Sequence, residues 1–262
     1  MPLALVGFTY LVTKDIVETL QNKLRFELDE NTIQRIRQIE DEFLSEFWEY
    51  VPDNVDKVEL SASELADILA SRMNGWAPVL SLDRVYFRNA DCYLDVTRVT
   101  DPKTGAVVLG PRPGSLPLEE QISEIPYDKV VLTDVGAFEG DTLIGISEAL
   151  AARNIQVGAA YLGVSDESAL KKVGKTLPTL VLNTFRLYEW IELRDLLGID
   201  GRIVASEGTR KFIPYWENLE EWASIPSESV SDVNKLCKSY NLELVGALTG
   251  YDLTRIGEKV IK

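Results

Sequence analysis

The run DVGAFEGDT at 134–142 joins a short apolar stretch to a helical one, and its residue types suit an anion. Gly136 and Gly140 permit a tight turn, backbone amides at a helix start can cradle a phosphate, and the Thr142 hydroxyl adds a donor. Asp134 places a carboxylate at the head of this turn. Plainer roles stand beside these: Asp134 as a turn cap, Thr142 as a first-turn helix residue, Glu139 and Asp141 as acids that favour the helix dipole. A second loop, GPRPGS at 110–115, carries Arg112 between two prolines. Its guanidinium is a forked donor matched to phosphate, or simply a surface arginine.

Other chemistries lack their residues. The chain has no histidine, which removes Ser-His-Asp and Cys-His arrangements and histidine-based zinc sites. Its two cysteines, Cys92 and Cys237, lie far apart without CxxC spacing and read as small buried hydrophobes. Catalysis, if there is any, falls to carboxylates, Lys, Arg, Tyr or backbone amides. Arg194, Asp195, Asp200 and Arg202 crowd one segment and read as a solvated ion-pair network; Asp95 and Arg98 are spaced to pair with each other. Tyr215, Trp216 and Trp222 can stack on a base or pack a cap onto a core.

These residues need elements to position them. Ile33, Ile36, Ile39, Phe43 and Phe47 recur at steps of three and four, which predicts a helix over 29–50 closed by Pro52. Ser61 and Glu64 have capping-box spacing for a helix to about Met73, stopped by Asn74 and Gly75. Alternation over 93–99, turn residues at 101–105 and an apolar return at 106–109 predict two strands, and 118–125 a short helix. Then the pattern alternates: strand 129–133, helix 141–153, strand 156–162, helix 168–175, strand 179–183, and a helix carrying Leu187, Trp190, Ile191, Leu193 and Leu197. The strand 129–133 has an uninterrupted apolar run at 130–132 and is expected to be a central parallel strand. Strand, helix, strand, helix, strand predicts an α/β fold with a doubly wound, mostly parallel sheet. The division expected is a helical N-terminal region at 1–80, an α/β core at 81–206 and an aromatic, helical C-terminal cap at 207–262.

Hydrophobic content of 45% and charged content of 26% are ordinary for a globular protein. The net charge of −15, from 27 basic and 42 acidic residues, disfavours nucleic acid and anionic membrane surfaces as partners. One local basic pocket would still serve a small phosphorylated ligand. The N-terminal run MPLALVGFTYLVTKD has no basic region and no small-residue cleavage site, so it reads as a buried strand or helix start and a cytoplasmic location is expected.

The stretch VVLTDVGAFEGDT at 130–142 resembles the phosphoribosyl-pyrophosphate motif of type I phosphoribosyltransferases: four hydrophobic residues, two acids, four variable residues, then Gly, any residue, and Thr or Ser. VVLGPRPGSLPL at 107–118 looks like that family's pyrophosphate loop, and the resemblance spans roughly 93–183. It implies a phosphoribosyltransferase-like fold in which Asp134 faces the ribose hydroxyls as the catalytic-centre acid. Gly136, Gly140 and Thr142 would lie in the 5′-phosphate loop, Arg112 would contact pyrophosphate, and Mg²⁺ would accompany the ligand. The chain departs from the pattern at three points. Val135 stands where the second acid belongs. Glu139 and Asp141 occupy a phosphate loop that usually carries small or hydroxyl residues. The two loops lie too close in sequence to hold the extra strand and mobile catalytic loop of active members.

Three functions follow from these residues. The first is a phosphoribosyltransferase-like protein that binds a ribonucleotide or phosphoribosyl ligand without transferring it. The second is an active phosphoribosyltransferase or related Mg²⁺-dependent glycosyl transferase. The third, a phosphohydrolase with Asp134 as nucleophile, ranks lowest because the second carboxylate it needs two residues on is Gly136. The sequence leaves open whether the chain self-associates into a homo-oligomer.

Overall fold

The computed structural model describes residues 7–73, 77–100, 103–112, 115–206 and 209–253. In chain order these form β1 (Thr9–Lys14), α1 (Ile16–Glu18) running into a π-helical turn (Thr19–Lys23), α2 (Glu30–Phe47), β2 (Asp56–Ser61), α3 (Ala62–Arg72), β3 (Val79–Ser81), β4 (Cys92–Tyr93), β5 (Val96–Thr100), β6 (Val107–Pro111) and α4 (Leu118–Ser123). There follow β7 (Lys129–Ala137), α5 (Asp141–Ala151), β8 (Gln156–Asp166), α6 (Glu167–Val173), β9 (Thr179–Phe185), β10 (Leu187–Glu192) and α7 (Leu193–Leu196). The chain closes with β11 (Arg202–Ser206), β12 (Thr209–Ile213), a 3₁₀ turn (Tyr215–Glu217), α8 (Leu219–Trp222) and α9 (Val230–Ala247). Asn74 and Gly75, expected to stop α3, lie outside the described residues, as do Asp101, Pro102, Pro113 and Gly114 of the two expected loops.

These elements make two compact units. The first takes Met1–Ser61, Tyr188–Val204 and Lys211–Lys262; the second takes Ala62–Leu187 and Ala205–Arg210. The expected three-part division had given each chain end its own region, whereas the first unit is assembled from both ends. Its sheet has the order β10-β1-β2. The α2 stripe reads as expected: Ile36, Ile39, Phe43 and Phe47 are fully buried, and Asp29 caps the helix by accepting from Thr32 N at 2.9 Å. Phe43 stacks on Phe47 and meets Tyr240 of α9 edge-on, while Trp216, Leu219 and Leu244 complete one core with Tyr10 and Val12. Trp216 therefore packs inside a core. The expected helix over 187–197 is instead β10 followed by one helical turn, because Tyr188, Trp190 and Ile191 are strand formers that extend the sheet at β1.

The second unit holds the candidate site. Its five-stranded sheet has the order β4-β3-β7-β8-β9, with every neighbouring pair parallel. β7 is central and parallel to both neighbours, as its apolar run requires. Leu143, Ile146 and Leu150 of α5 and Ala169 and Val173 of α6 join a core with Val130, Leu132, Ala160 and Leu162. Leu69 of α3 packs in a separate core with Val79 and Tyr161, so helices cover both faces of a doubly wound α/β sheet. Beside it stands a four-stranded sheet in the order β12-β11-β5-β6, with β5 and β6 antiparallel. Gly110 and Pro111, expected in an irregular loop, end strand β6. Pro111 is tolerated because β6 is an edge strand with no neighbour to receive a donor.

Candidate functional site

The strand order decides where a ligand can sit. From β3 the chain moves outward to β4, and from β7 it moves the opposite way to β8. The winding therefore reverses between β3 and β7, and open parallel sheets bind ligands in the crevice beyond the carboxyl ends at such a reversal. Two segments border that crevice: the loop after β3, and the end of β7 with its turn into α5. β3 stops at Ser81, where Leu82 N still donates to Thr133 O at 2.9 Å. Beyond that point β7 continues to Ala137, paired with β8 through Gly136–Val164 and Ala137–Ser165.

Asp134 is thus a residue of the strand and not of its terminal turn. It is partly exposed, and its Oδ1 accepts from Val135 N at 2.8 Å. Val135, at the position of the absent second acid, is buried with 7% of its surface exposed. Gly136 and Thr142 are partly exposed, and Glu139 is exposed. Gly140 is the N-cap of α5 at φ 80°, and no side chain caps that helix. A Cβ on Gly140 would meet Val173 Cγ2 at 2.6 Å, so contact with α6 and a left-handed backbone both demand glycine. That requirement is structural: it agrees with the tight turn expected from the sequence and needs no bound anion. Asp141 turns to Lys172 of α6, with Nζ at 2.6 Å from Oδ1.

The loop after β3 holds residues that sequence reading passed over. Asp83 is buried: its Oδ1 accepts from Val85 N at 2.6 Å and its carbonyl from the Ser81 hydroxyl at 2.7 Å. Arg112, directly after the end of β6, brings Nη2 to 3.6 Å from Asp83 Oδ2, and its backbone N–H donates to Asp95 O at 2.8 Å. Asp95 is held by Arg84, whose Nε and Nη2 donate at 2.8 and 3.1 Å. Arg84 in turn lies 4.3 Å over the Tyr93 ring. The expected Asp95–Arg98 pair gives way to this one, and Arg98 is exposed on β5. The available signal was Pro78 followed by VLSL and then Asp-Arg, a short strand and its exit.

With Asp95 counted beside its partner Arg84, this region is net acidic. Asp83, Asp134 and Glu139 stand against Arg84 and Arg112, and each arginine already faces a carboxylate. A dianion entering here must compete for those arginines or bring a cation with it. Among the described residues no three His, Cys, Asp or Glu side chains gather as metal ligands. Mg²⁺ fits only as an ion held by one carboxylate and the ligand's own phosphates, a common arrangement for that metal. Burial pushes the Cys92 thiol up to about 11, which makes it a poor nucleophile.

The segment 193–202 corrects a further expectation. Arg194, Asp195 and Asp200 are buried, with 2%, 8% and 8% exposed, where a solvated network was expected. Arg194 pairs with Asp15 at 3.3 Å and Glu192 at 2.7 Å, and Lys23 pairs with Asp200. Arg202 lies 5.6 and 5.7 Å from the ring centroids of Tyr215 and Trp222.

No family model and no curated protein matches the chain. Solved structures do. An adenine phosphoribosyltransferase from Thermoanaerobacter pseudethanolicus is similar at 14% identity over 47% of this chain and 79% of that one, with a TM-score of 0.34. An orotate phosphoribosyltransferase from Aeropyrum pernix is similar at 16% identity over 46% and 70%, with a TM-score of 0.32. A UMP synthase from Leishmania donovani is similar at 14% identity over 68% of this chain and 33% of that one, with a TM-score of 0.31. The resemblance is to phosphoribosyltransferases. The strand order and parallel register of the five-stranded sheet make this chain a doubly wound α/β protein. Among the described residues no helix is long and apolar enough to cross a membrane.

Proposed function

We propose that the chain is a phosphoribosyltransferase-like protein that binds a small phosphorylated ligand, a ribonucleotide or a phosphoribosyl group, in the crevice between β3 and β7. The observation that carries this reading is the reversal of winding at that point, with Asp134 on the bordering strand and the uncapped first turn of α5 just beyond it. Asp134 would meet the ribose hydroxyls. The amides of the α5 first turn, with Gly136, Gly140 and Thr142, would face the 5′-phosphate, and Arg112 a second phosphate. Mg²⁺ would supply the charge that the paired arginines withhold.

Val135 favours binding over transfer. The second acid is replaced by an apolar side chain that belongs to the core, so the ribose loses one charged contact. Such a contact is worth about 1.5–3 kcal/mol, roughly ten- to a hundredfold in affinity. An active transferase is the second reading, with Glu139 taking the missing role from the turn. A phosphohydrolase stays last, since the residue two beyond Asp134 is Gly136.

Thermal unfolding with nucleotides and with phosphoribosyl pyrophosphate, each with and without Mg²⁺, tests the proposal. A ligand at a hundred times its Kd adds about 2.7 kcal/mol, and an Asp134→Asn variant should lose most of that gain. No stabilisation by any sugar phosphate sinks the reading. Turnover of phosphoribosyl pyrophosphate by the native chain establishes the transferase instead.

A further inference from the structure

A cavity of about 400 Å³ lies in the second unit, lined by residues of the β3 exit loop, β4 and its exit, and α4 with the segment leading into it. Arg84, Tyr93, Asp95, Ser115, Gln121 and Glu124 are on its wall. We propose that it binds a planar nucleobase with a donor-rich edge, of the guanine type. This deepens the ribonucleotide reading by naming a base, and it rests on that reading for its connection to a sugar phosphate.

The wall is rigid where a base would lie. Two hydrogen bonds to Asp95 fix the plane of the Arg84 guanidinium, and the Tyr93 ring supports it at 4.3 Å. Tyr93 is itself anchored through its hydroxyl, which donates to Arg88 O at 2.6 Å. Gln121 clamps the chain at Asp95, accepting from Asp95 N at 2.8 Å while its amide donates to Leu116 O at 2.7 Å. A flat, fixed cation on an aromatic ring is a stacking surface for a base, and such stacking tolerates any base.

The edge groups supply the selection. Asp95 and Gln121 are committed to holding the wall. Glu124 is exposed on the rim, and among the described residues its carboxylate has no ion-pair partner. The Ser115 hydroxyl is nearby on the same wall. An accepting carboxylate matches two adjacent N–H donors, as on the N1 and N2 edge of guanine. Uracil offers it only one N–H, flanked on both sides by carbonyl oxygens that repel a carboxylate. The volume accommodates a base with its sugar.

The test measures binding of guanosine, inosine, adenosine and uridine to the full chain by saturation-transfer NMR and calorimetry. These probes carry no phosphate, and ribose 5-phosphate serves as the probe without a base. Guanosine is expected to bind at least tenfold more tightly than adenosine or uridine, with inosine between. Glu124→Gln should lower guanosine affinity about tenfold or more and leave adenosine unchanged. Arg84→Lys keeps the charge opposite Asp95 but loses the plane, and should weaken all bases alike; its near-ultraviolet spectrum reports whether the fold is kept. Equal binding of the four nucleosides, no guanosine binding at millimolar concentration, or an unaffected Glu124→Gln variant overturns the proposal. Failure of guanosine with binding of ribose 5-phosphate removes this inference alone. The reverse pattern removes the phosphate crevice alone.

Discussion

At the scale of single residues, one position in β7 and one in the turn after it separate structural demand from ligand chemistry. Gly140 would naturally be credited to a phosphate, yet its φ of 80° and the 2.6 Å approach of Val173 require glycine without any ligand. Gly140→Val is expected to lower stability by about 1–2 kcal/mol for the left-handed backbone and about 1–3 kcal/mol more for overpacking. Urea unfolding without ligand checks this, and a variant as stable as the native chain would return Gly140 to the ligand alone. Val135→Asp would restore the acidic pair of the resembled motif, but it places a carboxylate where 7% of the side chain is exposed. The expected result is a loss of several kcal/mol, from burial of a charge, with no gain in Mg²⁺-dependent binding. A gain in phosphoribosyl pyrophosphate affinity at native stability would show that the strand end can turn that side chain into the crevice.

At the scale of elements, the first unit carries more buried charge than its sequence suggests. Glu40 of α2 is fully buried, accepting from Ile16 N at 3.1 Å and from Arg37 at 2.8 Å, and Arg37 also pairs with Glu18. Burial raises its carboxyl from 4.5 to about 7 against the pull of Arg37. Burial and the nearby Glu192 raise Asp195 from 3.8 to about 6, and burial also holds Asp15 well above the usual range. A folded-state pKa above the unfolded one means the native state holds protons more tightly. The stabilisation is complete below about pH 4 and is lost as pH rises through about 6 and 7. The first unit should therefore resist urea better at pH 5.5 than at pH 8, by an amount on the order of a few kcal/mol. Glu40→Gln imitates the protonated form and should flatten the profile; an unchanged slope would remove Glu40 as its source.

That cluster also shows what a sequence can and cannot disclose. The α2 stripe, the β7 run and the strands β8 and β9 were legible because period and apolar content act locally. The burial of Arg194 was not, because its partner Asp15 lies 179 residues away and nothing near 194 marks the pairing. β10 was misread because apolar residues at 187, 190 and 191 satisfy a helical spacing, while the choice of strand depends on β1. At the site, Asp134 and the α5 turn were visible in a local motif. The β3 exit loop was overlooked because three strand residues make too short a pattern, and only the strand order brings Asp83 and Arg84 to the crevice.

At the scale of the whole molecule, the two units differ in how they are woven. The main core of the second unit draws on residues between Leu80 and Leu177, one continuous stretch of chain. The core of the first unit joins residues of its first segment, such as Tyr10, Ile36 and Phe43, to Ile191, Trp216, Tyr240 and Leu244 near the other end. Tyr10 donates to Ala223 O at 2.6 Å, Arg35 pairs with Glu243, and Tyr240 donates to Glu46, all across most of the chain. Closing such contacts costs loop entropy that local ones do not, so the second unit is expected to fold first and without the ends. A fragment spanning 62–187 should melt cooperatively and show dispersed amide resonances, whereas a fragment spanning 1–61 should show neither. The 62–187 fragment lacks Ala205–Arg210, which the second unit takes from β11 and β12, so its small sheet should be the less protected part in hydrogen exchange. Both β7 and the Arg84–Tyr93 wall lie inside 62–187. If the fragment folds, it should keep the guanosine and sugar-phosphate affinities of the full chain. A fragment 62–187 without a cooperative transition would mean that the parallel sheet depends on the woven unit, and that the two units fold as one.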